Sequence, residues 1–173
     1  MSSTTSAPAA RTDDFSASST AEMMEMVLPN DANMLGNILG GKVMHLIDIV
    51  AATAAARHCR RPVVTASVDY LEFRNPIKVG SLIILKAALN RVFNTSMEIG
   101  VKVWSENLHT GDRRHTSSAY LTFVTLDEGG KPAVAPPYTP ATAQEQRRWH
   151  EAGVRRTNRL QIKSRLAQFS EKQ

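Results

Sequence analysis

The chain has 173 residues, 42% of them hydrophobic, and its 21 Lys and Arg against 16 Asp and Glu give a formal net charge of +5. At this length a single domain buries about two-thirds of the surface of its unfolded chain, so it needs neither a disulfide nor a metal to fold. Cys59 is the only cysteine, and no apolar run approaches the roughly 18 residues of a membrane-spanning helix. The composition therefore excludes a disulfide-stapled secreted domain, a zinc module and a membrane-spanning protein.

Residues 1–21 are rich in Ser, Thr and Ala and contain no apolar stretch, so we predict a disordered N-terminal lead-in. The segment lacks the apolar centre of a secretory signal, and its Asp13 and Asp14 are unusual in a transit peptide. We therefore expect a cytoplasmic protein that does not insert into a membrane.

Residues 22–138 are predicted to form one α+β domain. A short strand over residues 22–28 and a turn-rich stretch lead to a helix over residues 41–57, which is apolar on nearly all sides and is therefore expected to be buried. Runs rich in β-branched and aromatic residues then predict four strands, at 63–73, 81–89, 96–105 and 114–125. Short links between the last three strands indicate an antiparallel meander, and this order predicts a curved sheet that wraps the helix.

The positive charge lies in the C-terminal segment, residues 139–173, which we predict to be a basic helical extension. Residues 1–140 contain 13 basic and 13 acidic side chains, whereas residues 141–173 contain 8 basic and 3 acidic ones. The helix is predicted from about Thr142, with Gly153 as a point where it could divide. Its second half carries an apolar row that could dock on the body or on another subunit, made of Ile162, Leu166 and Phe169.

Nucleic-acid binding through this basic segment is not expected. Glu145 and Glu151 are interspersed with its arginines, and Trp149 is the only aromatic residue near them. The segment therefore lacks the stacking platform of a single-strand binder.

Asp48 is an acid in the middle of the predicted apolar helix. A buried carboxylate without a partner is costly, so its presence requires an explanation. Asp48 could lie on the one solvent-exposed side of the helix or accept hydrogen bonds from N–H groups of a neighbouring strand. His45, three residues earlier, could also pair with it. The alternative is a catalytic carboxylate.

The loop before the helix contains the second candidate group. Gly40 and Gly41 allow the backbone to approach a ligand closely, and the first N–H groups of the helix carry positive partial charge. The amide of Asn37 could donate a further hydrogen bond to a polarised carbonyl or hold a water in place. A flexible glycine-containing turn is the alternative.

Four segments in order resemble the hotdog-fold acyl-CoA thioesterases of the cytosolic acyl-CoA hydrolase group. They are PNDANMLGNILGGKVMHLID, VVTASVDYLEFRNPIKVG, NTSMEI and HTSSAYLTFVTLD, within residues 28–137. The resemblance implies a five- to six-stranded antiparallel sheet around a central helix, a dimer joined edge to edge, and dimers grouped into a hexamer. It also implies an active site shared across the subunit interface, completed by Asn37 of one subunit and Asp48 of the next.

Hydrolysis of acyl-CoA to free acid and coenzyme A would then need an activated water and stabilisation of a tetrahedral oxyanion. Asp48 is the candidate general base, Asn37 would orient the water or the carbonyl, and the Gly41 N–H would bind the oxyanion. The thiolate is already a good leaving group, so we expect no metal and no cofactor, coenzyme A being part of the substrate. Covalent catalysis by Cys59 or a serine is disfavoured because no nucleophile motif surrounds either.

Coenzyme A would contact backbone and short polar groups along the strands, and arginines would meet its phosphates. The candidate contacts are Gly40, Val64, Thr65, Ser67, Thr95, Ser96, Ser117 and Ser118, with Arg57, Arg91, Arg113 and Arg114 for the phosphates. Each arginine could instead be a solvated surface charge. Two other functions stay open: a non-catalytic acyl-CoA sensor that uses the same groove, and a hotdog hydratase that uses His45 and Asp48.

Overall fold

The computed structural model describes residues 19–69 and 71–170, which form five strands and two long helices. The elements in chain order are β1 (Thr20–Met26), α1 (Gly40–Cys59), β2 (Val63–Val68), β3 (Leu82–Val92), β4 (Ser96–Glu106), β5 (Arg113–Thr125) and α2 (Ala143–Ser170). A short 3-10 turn covers Pro29–Asp31. The predicted antiparallel sheet around a long helix is confirmed.

All five strands belong to one antiparallel sheet in the order β1-β3-β4-β5-β2. Alternate residues of each long strand face α1, as in β4, where Met97, Ile99, Val101 and Val103 are all buried. β2 lies at one edge of the sheet and pairs only with β5 within the described residues.

The sheet covers only one side of α1. Val43, Ile47 and Val50 are buried against the strands, whereas Met44 and Ile49 on the other side are exposed. The expected burial on nearly all sides is therefore wrong for a single chain, because a sheet that curves around a helix leaves its far side open.

Several strand boundaries differ from the prediction, among them those of β1 and β2. β1 begins at Thr20, two residues before the predicted domain start, while residues 1–18 of the predicted lead-in lie outside the described residues. β2 ends at Val68, not at residue 73, after a register shift between Thr65 and Ser67. Beyond it, Asp69 and Arg74 still donate backbone hydrogen bonds to β5, so the chain follows that strand without a regular ladder.

Helix α2 lies on the face of the sheet opposite α1 and is continuous through Gly153. A Cβ atom at Gly153 would lie 2.5 Å from Nη1 of Arg91, whose guanidinium stacks 3.4 Å from the Trp149 ring centroid. This glycine therefore permits the close approach of Arg91 and does not divide the helix. The predicted row at Ile162 and Leu166 lies on α2, and the side chain of Phe169 is outside the described set.

Two arginines of α2 pair with acids of the domain body. Arg155 donates three hydrogen bonds to Glu98, whose side chain is fully buried, and Arg159 donates two to Asp69. Asn90 donates a further hydrogen bond to Glu98 at 2.9 Å. Burial disfavours the charged Arg155 guanidinium, but hydrogen bonding and attraction to Glu98 outweigh it and raise the pKa of Arg155. The excess positive charge is thus partly neutralised by the protein's own body.

We predict that Arg155→Ala lowers the free energy of unfolding by about 3–5 kcal/mol, because it leaves the buried Glu98 carboxylate without its counterion. Arg165→Ala removes an exposed arginine of the same helix and should change the free energy of unfolding by less than about 0.5 kcal/mol. Urea unfolding at one fixed protein concentration measures both. Equal effects of the two substitutions would contradict the role of Arg155 as the counterion of Glu98.

A capping box begins α2. The Glu145 carboxylate accepts backbone N–H bonds from Ala141 and Thr142, both at 2.9 Å, and the Glu145 N–H donates to the Thr142 hydroxyl. The Thr142 N–H bond is the largest influence on the pKa of Glu145; burial opposes it, and the net effect lowers the pKa.

Because the folded state lowers the pKa of Glu145, the stabilisation is complete above the unfolded-state pKa and is lost as the pH falls through the folded value. We expect Glu145→Ala to cost about 1 kcal/mol at pH 6 and less at pH 3. Unfolding followed by tryptophan fluorescence at both pH values measures this. Glu128→Ala, at an exposed turn, is the control and should show neither effect; an equal cost of Glu145→Ala at both pH values would contradict the prediction.

Candidate active site

Asn33 fixes the loop that precedes α1. Its Oδ1 accepts hydrogen bonds from the backbone N–H groups of Leu35, at 3.0 Å, and Asn37, at 3.2 Å. The Asn33 N–H donates to the Asn37 carbonyl at 2.8 Å, and Gly36 adopts a positive φ of 71° in the turn between them. These bonds use the carbonyl of the Asn33 side chain and leave its Nδ2 group to donate elsewhere.

The start of α1 offers backbone donors. No side chain caps the helix at Leu39, and the N–H groups of Gly40 and Gly41 lack intrahelical acceptors by their position. Gly41 is exposed, and a Cβ built there meets nothing within 4 Å. The helix start can therefore donate hydrogen bonds to an oxyanion.

A cavity of about 370 Å³ lies at this helix start. Its lining is Asn33, Asn37, Ile38, Gly40, Val43, Phe73, Arg74, Asn75, Pro76, Ile77 and Thr116. The Phe73 ring covers one side, since a Cβ at Gly40 would lie 3.5 Å from its Cε2. The structure thus brings the predicted Asn37 and Gly40 together beside a largely apolar space.

Asp48 is partly exposed and does not line this cavity. Its Oδ1 accepts a hydrogen bond of 2.7 Å from the Thr65 hydroxyl on β2. Eight residues separate Asp48 from Gly40, which corresponds to about 12 Å along a helix. The chain therefore holds two polar groups at separate positions: the loop with the helix start, and the Asp48–Thr65 pair.

The predicted coenzyme A contacts do not converge on one place in a single chain. Val64 and Ser67 lie on the β2 edge with Thr65, and Arg57 donates to the Thr20 carbonyl near the end of α1. The adjacent Arg113 and Arg114 lie at the start of β5, where Arg113 also lies over the Trp104 ring.

Several predicted contacts are occupied within the chain. Ser117 is fully buried and donates to the Glu72 carbonyl, and Ser118 is paired with His115. The Ser96 hydroxyl accepts from Arg156, while the Thr95 carbonyl accepts from the Thr125 N–H. Arg91 is stacked under α2, as described above. In this chain the Arg91 and Ser96 side chains contact α2, whereas the other three groups bond to β5 or to the segment after β2, which the sequence pattern could not show.

Sequence reasoning did not single out Asn33 and assigned Thr65 only to coenzyme A. The Asn-x-x-Gly pattern of residues 33–36 is a recognisable turn signal and points to Asn33. No sequence signal links Thr65 to Asp48, because the bond joins a strand and a helix 17 residues apart.

Within residues 19–69 and 71–170, no cluster of His, Cys, Asp and Glu could hold a metal ion. The helices of this same part of the chain are not long and apolar enough to cross a membrane.

Comparison with known proteins identifies the family. Residues 35–111 match the model of the Thioesterase superfamily. An uncharacterized acyl-CoA thioester hydrolase of Bacillus subtilis is 41% identical over 142 residues, covering 82% of each chain. The chain belongs to the hotdog-fold acyl-CoA thioesterases. The cytosolic acyl coenzyme A thioester hydrolase of Rattus norvegicus is 35% identical over 90% of this chain and 40% of its own length.

Solved structures agree with this family. The apo-hexameric acyl-CoA thioesterase has a TM-score of 0.82 at 40% identity, with 85% of this chain and 94% of that one covered. The acyl-CoA hydrolase of Staphylococcus aureus, in complex with butyryl coenzyme A, coenzyme A and coenzyme A disulfide, has a TM-score of 0.80 at 31% identity, covering 91% and 98%. Other structures of that hydrolase carry alanine in place of an aspartate, a threonine or an asparagine.

Proposed function

We propose that this thioesterase hydrolyses acyl-CoA to free acid and coenzyme A at a site shared by two subunits, with Asp48 as general base. The observation that carries the proposal is the hydrogen bond from Thr65 to Asp48. The aspartate and threonine replaced in the Staphylococcus aureus hydrolase are 17 positions apart, and the same spacing separates Asp48 from Thr65.

Thr65 holds Asp48 in position for proton abstraction. Its hydroxyl donates to Oδ1, which leaves Oδ2 to accept a proton from a water molecule. As the water oxygen bonds to the thioester carbonyl carbon, its proton moves to Asp48 and the carbonyl oxygen becomes negative. The carbon–sulfur bond then breaks, and coenzyme A leaves as a thiolate that takes up a proton.

The helix start stabilises the negative oxygen. The Gly40 and Gly41 N–H groups and the asparagine amides of the preceding loop are all donors, as an oxyanion requires. They lie about 12 Å from Asp48 along the same helix, too far to act on one thioester with it. The helix start of one subunit and Asp48 of its partner would have to meet at the interface.

Asn33 is the stronger candidate for the side-chain donor. The asparagine replaced in the Staphylococcus aureus hydrolase precedes its aspartate by 15 positions, as Asn33 precedes Asp48, whereas Asn37 precedes it by 11. The loop bonds also direct the donor end of the Asn33 amide away from the backbone. Asn37, predicted for this role from the sequence, lines the same cavity and is the alternative donor.

The assembly follows from the surfaces that one chain leaves open. Two surfaces flank the Asp48–Thr65 pair: the exposed Met44 and Ile49 of α1, and the edge of β2 that has no strand partner in the described residues. Pairing of two β2 edges would cover them and bring two sites together. A hexameric relative at 40% identity supports grouping of such dimers, and relatives named cytosolic support action in the cytoplasm.

We predict that Asp48→Asn lowers kcat at least about 100-fold while the assembly keeps its mass, because the amide cannot take the proton. Thiol release from acyl-CoA substrates of several chain lengths measures the rate. His45→Gln, at an exposed position one turn earlier, should keep near-normal turnover.

A near-normal rate in Asp48→Asn would place the base elsewhere, and loss of activity in His45→Gln would favour a His–Asp hydratase-type site. Tight acyl-CoA binding by the unmodified protein without turnover at any chain length would favour the sensor function.

Mixing inactive subunits tests the shared site. In a dimer of one Asn33→Ala and one Asp48→Ala subunit, one of the two sites keeps both groups, so random mixing should restore about a quarter of the activity. The same experiment with Asn37→Ala shows which asparagine acts. The substitution of the acting asparagine abolishes activity on its own and is rescued by mixing, whereas the substitution of the other leaves activity from the start. Absence of rescue in mixed dimers verified by native mass spectrometry would contradict a site built from two subunits.

A further inference from the structure

Helix α2 crosses the outer face of the sheet towards the β2 edge. Near its start, Arg148 lines a cavity with Lys86 of β3; in its middle, Arg155 pairs with Glu98 of β4; and Arg159 pairs with Asp69, the residue after β2. Since the strand order is β3-β4-β5-β2, these contacts trace the helix from the interior of the sheet to its edge.

The helix continues beyond this last contact. Residues 160–170 follow Arg159, and all residues from 161 to 168 are exposed. Eleven helical residues extend about 16 Å, which equals the width of about three strands. We refer to residues 160–170 as the overhang.

The face of α2 that docks on the sheet becomes apolar where the sheet ends. Residues seven apart share one face of a helix, so Ile162 follows Arg155 and Leu166 follows Arg159 on the docking face. Ile162 is 58% exposed and Leu166 is 62% exposed. The face that meets carboxylates on its own sheet thus presents aliphatic side chains past the edge.

The overhang lies over the place where a second copy would join. β2 is an edge strand with an open hydrogen-bonding side in the described residues, and its Val64 and Val68 are exposed. A groove of about 620 Å³ runs there between α2 and the segment after β2, lined by Asp69, Tyr120, Arg159 and Ile162 among others. A two-fold copy paired at β2 would extend the sheet beneath Ile162 and Leu166.

We propose that the overhang packs on the partner subunit joined at β2, so that each C-terminal helix clasps the other subunit's outer surface. This inference rests on the edge-to-edge dimer of the proposed function and adds a contact that the catalytic groups do not make. The clasp fastens the interface from the side of the sheet opposite α1.

Site-specific cross-linking tests the clasp. Cys59 is buried, so Leu166→Cys introduces the one readily accessible thiol of the described residues, which can carry a benzophenone maleimide. Labelled protein exchanges subunits with ¹⁵N-labelled protein in dilute urea, with exchange verified by native mass spectrometry, and is then irradiated. We expect cross-links between light and heavy chains on the outer face of the partner.

Leu160→Cys is the matched control. Leu160 lies in the overhang with 52% exposure, on the side of the helix turned away from Ile162 and Leu166. It should give at least about 5-fold fewer light–heavy cross-links. Equal yields from both positions, or only cross-links within one chain from position 166, would overturn the clasp.

Sedimentation velocity gives a second readout. Ile162→Asp combined with Leu166→Asp should weaken dimer association at least about 10-fold, and Leu160→Asp should leave it unchanged. An unchanged association constant in the double variant would also overturn the clasp. A monomeric unmodified protein would contradict the proposed assembly itself, whereas an active oligomer without position-166 cross-links would contradict the clasp alone.

Discussion

A sheet that wraps one side of a helix leaves the other side of the helix and the outer edges of its edge strands uncovered, and the rest of this molecule depends on that constraint. In the described residues the open side carries Met44 and Ile49, and of the two edge strands, β1 and β2, it is β2 that bonds to Asp48. The bond between Asp48 and Thr65 joins the two surfaces. Under the proposed function, a second copy of the chain would both cover these surfaces and complete the site.

The opposite face of the sheet is covered in a different way. There the arginines Arg155 and Arg159 of α2 form ion pairs with Glu98 and Asp69. Without Arg155, Glu98 would be a buried carboxylate that lacks a counterion. Arg91 lies between α2 and the sheet, stacked on Trp149 and accommodated by Gly153. The formal charge of +5 thus does not describe a free basic surface, because several of the arginines that produce it fasten the helix to the domain.

The fold was predictable because its signals are local. The apolar helix between two strand regions, and the β-branched runs of β3 to β5 with short links, predict a curved antiparallel sheet around a helix, and the family resemblance adds the hotdog fold. The misjudged features depend on contacts between distant segments. Gly153 resembles a helix break until Arg91 is placed beside it, and β2 resembles a longer strand until its register shift near Ser67 is seen.

The candidate site was predictable only in part for the same reason. Asp48 was identifiable as a carboxylate in an apolar helix, but its partner Thr65 comes from a strand whose pairing the sequence does not specify. Asn33 and Asn37 are both plausible donors in sequence, and only the loop geometry shows that Asn33 organises the turn while its amide nitrogen is left to donate.

The position of Asp48 along α1 is the reason for proposing a site built from two chains. A helix offers its strongest backbone donors at its first turn, and a carboxylate placed there would compete with the oxyanion for the same N–H groups. Asp48 lies two turns further on, where the helix is bonded internally and its carboxylate is oriented by Thr65 instead. With Asp48 as the proposed base, this separation keeps its carboxylate and the proposed oxyanion donors from neutralising each other within a chain. An antiparallel partner across a two-fold axis can then bring the helix start of one subunit beside the base of the other.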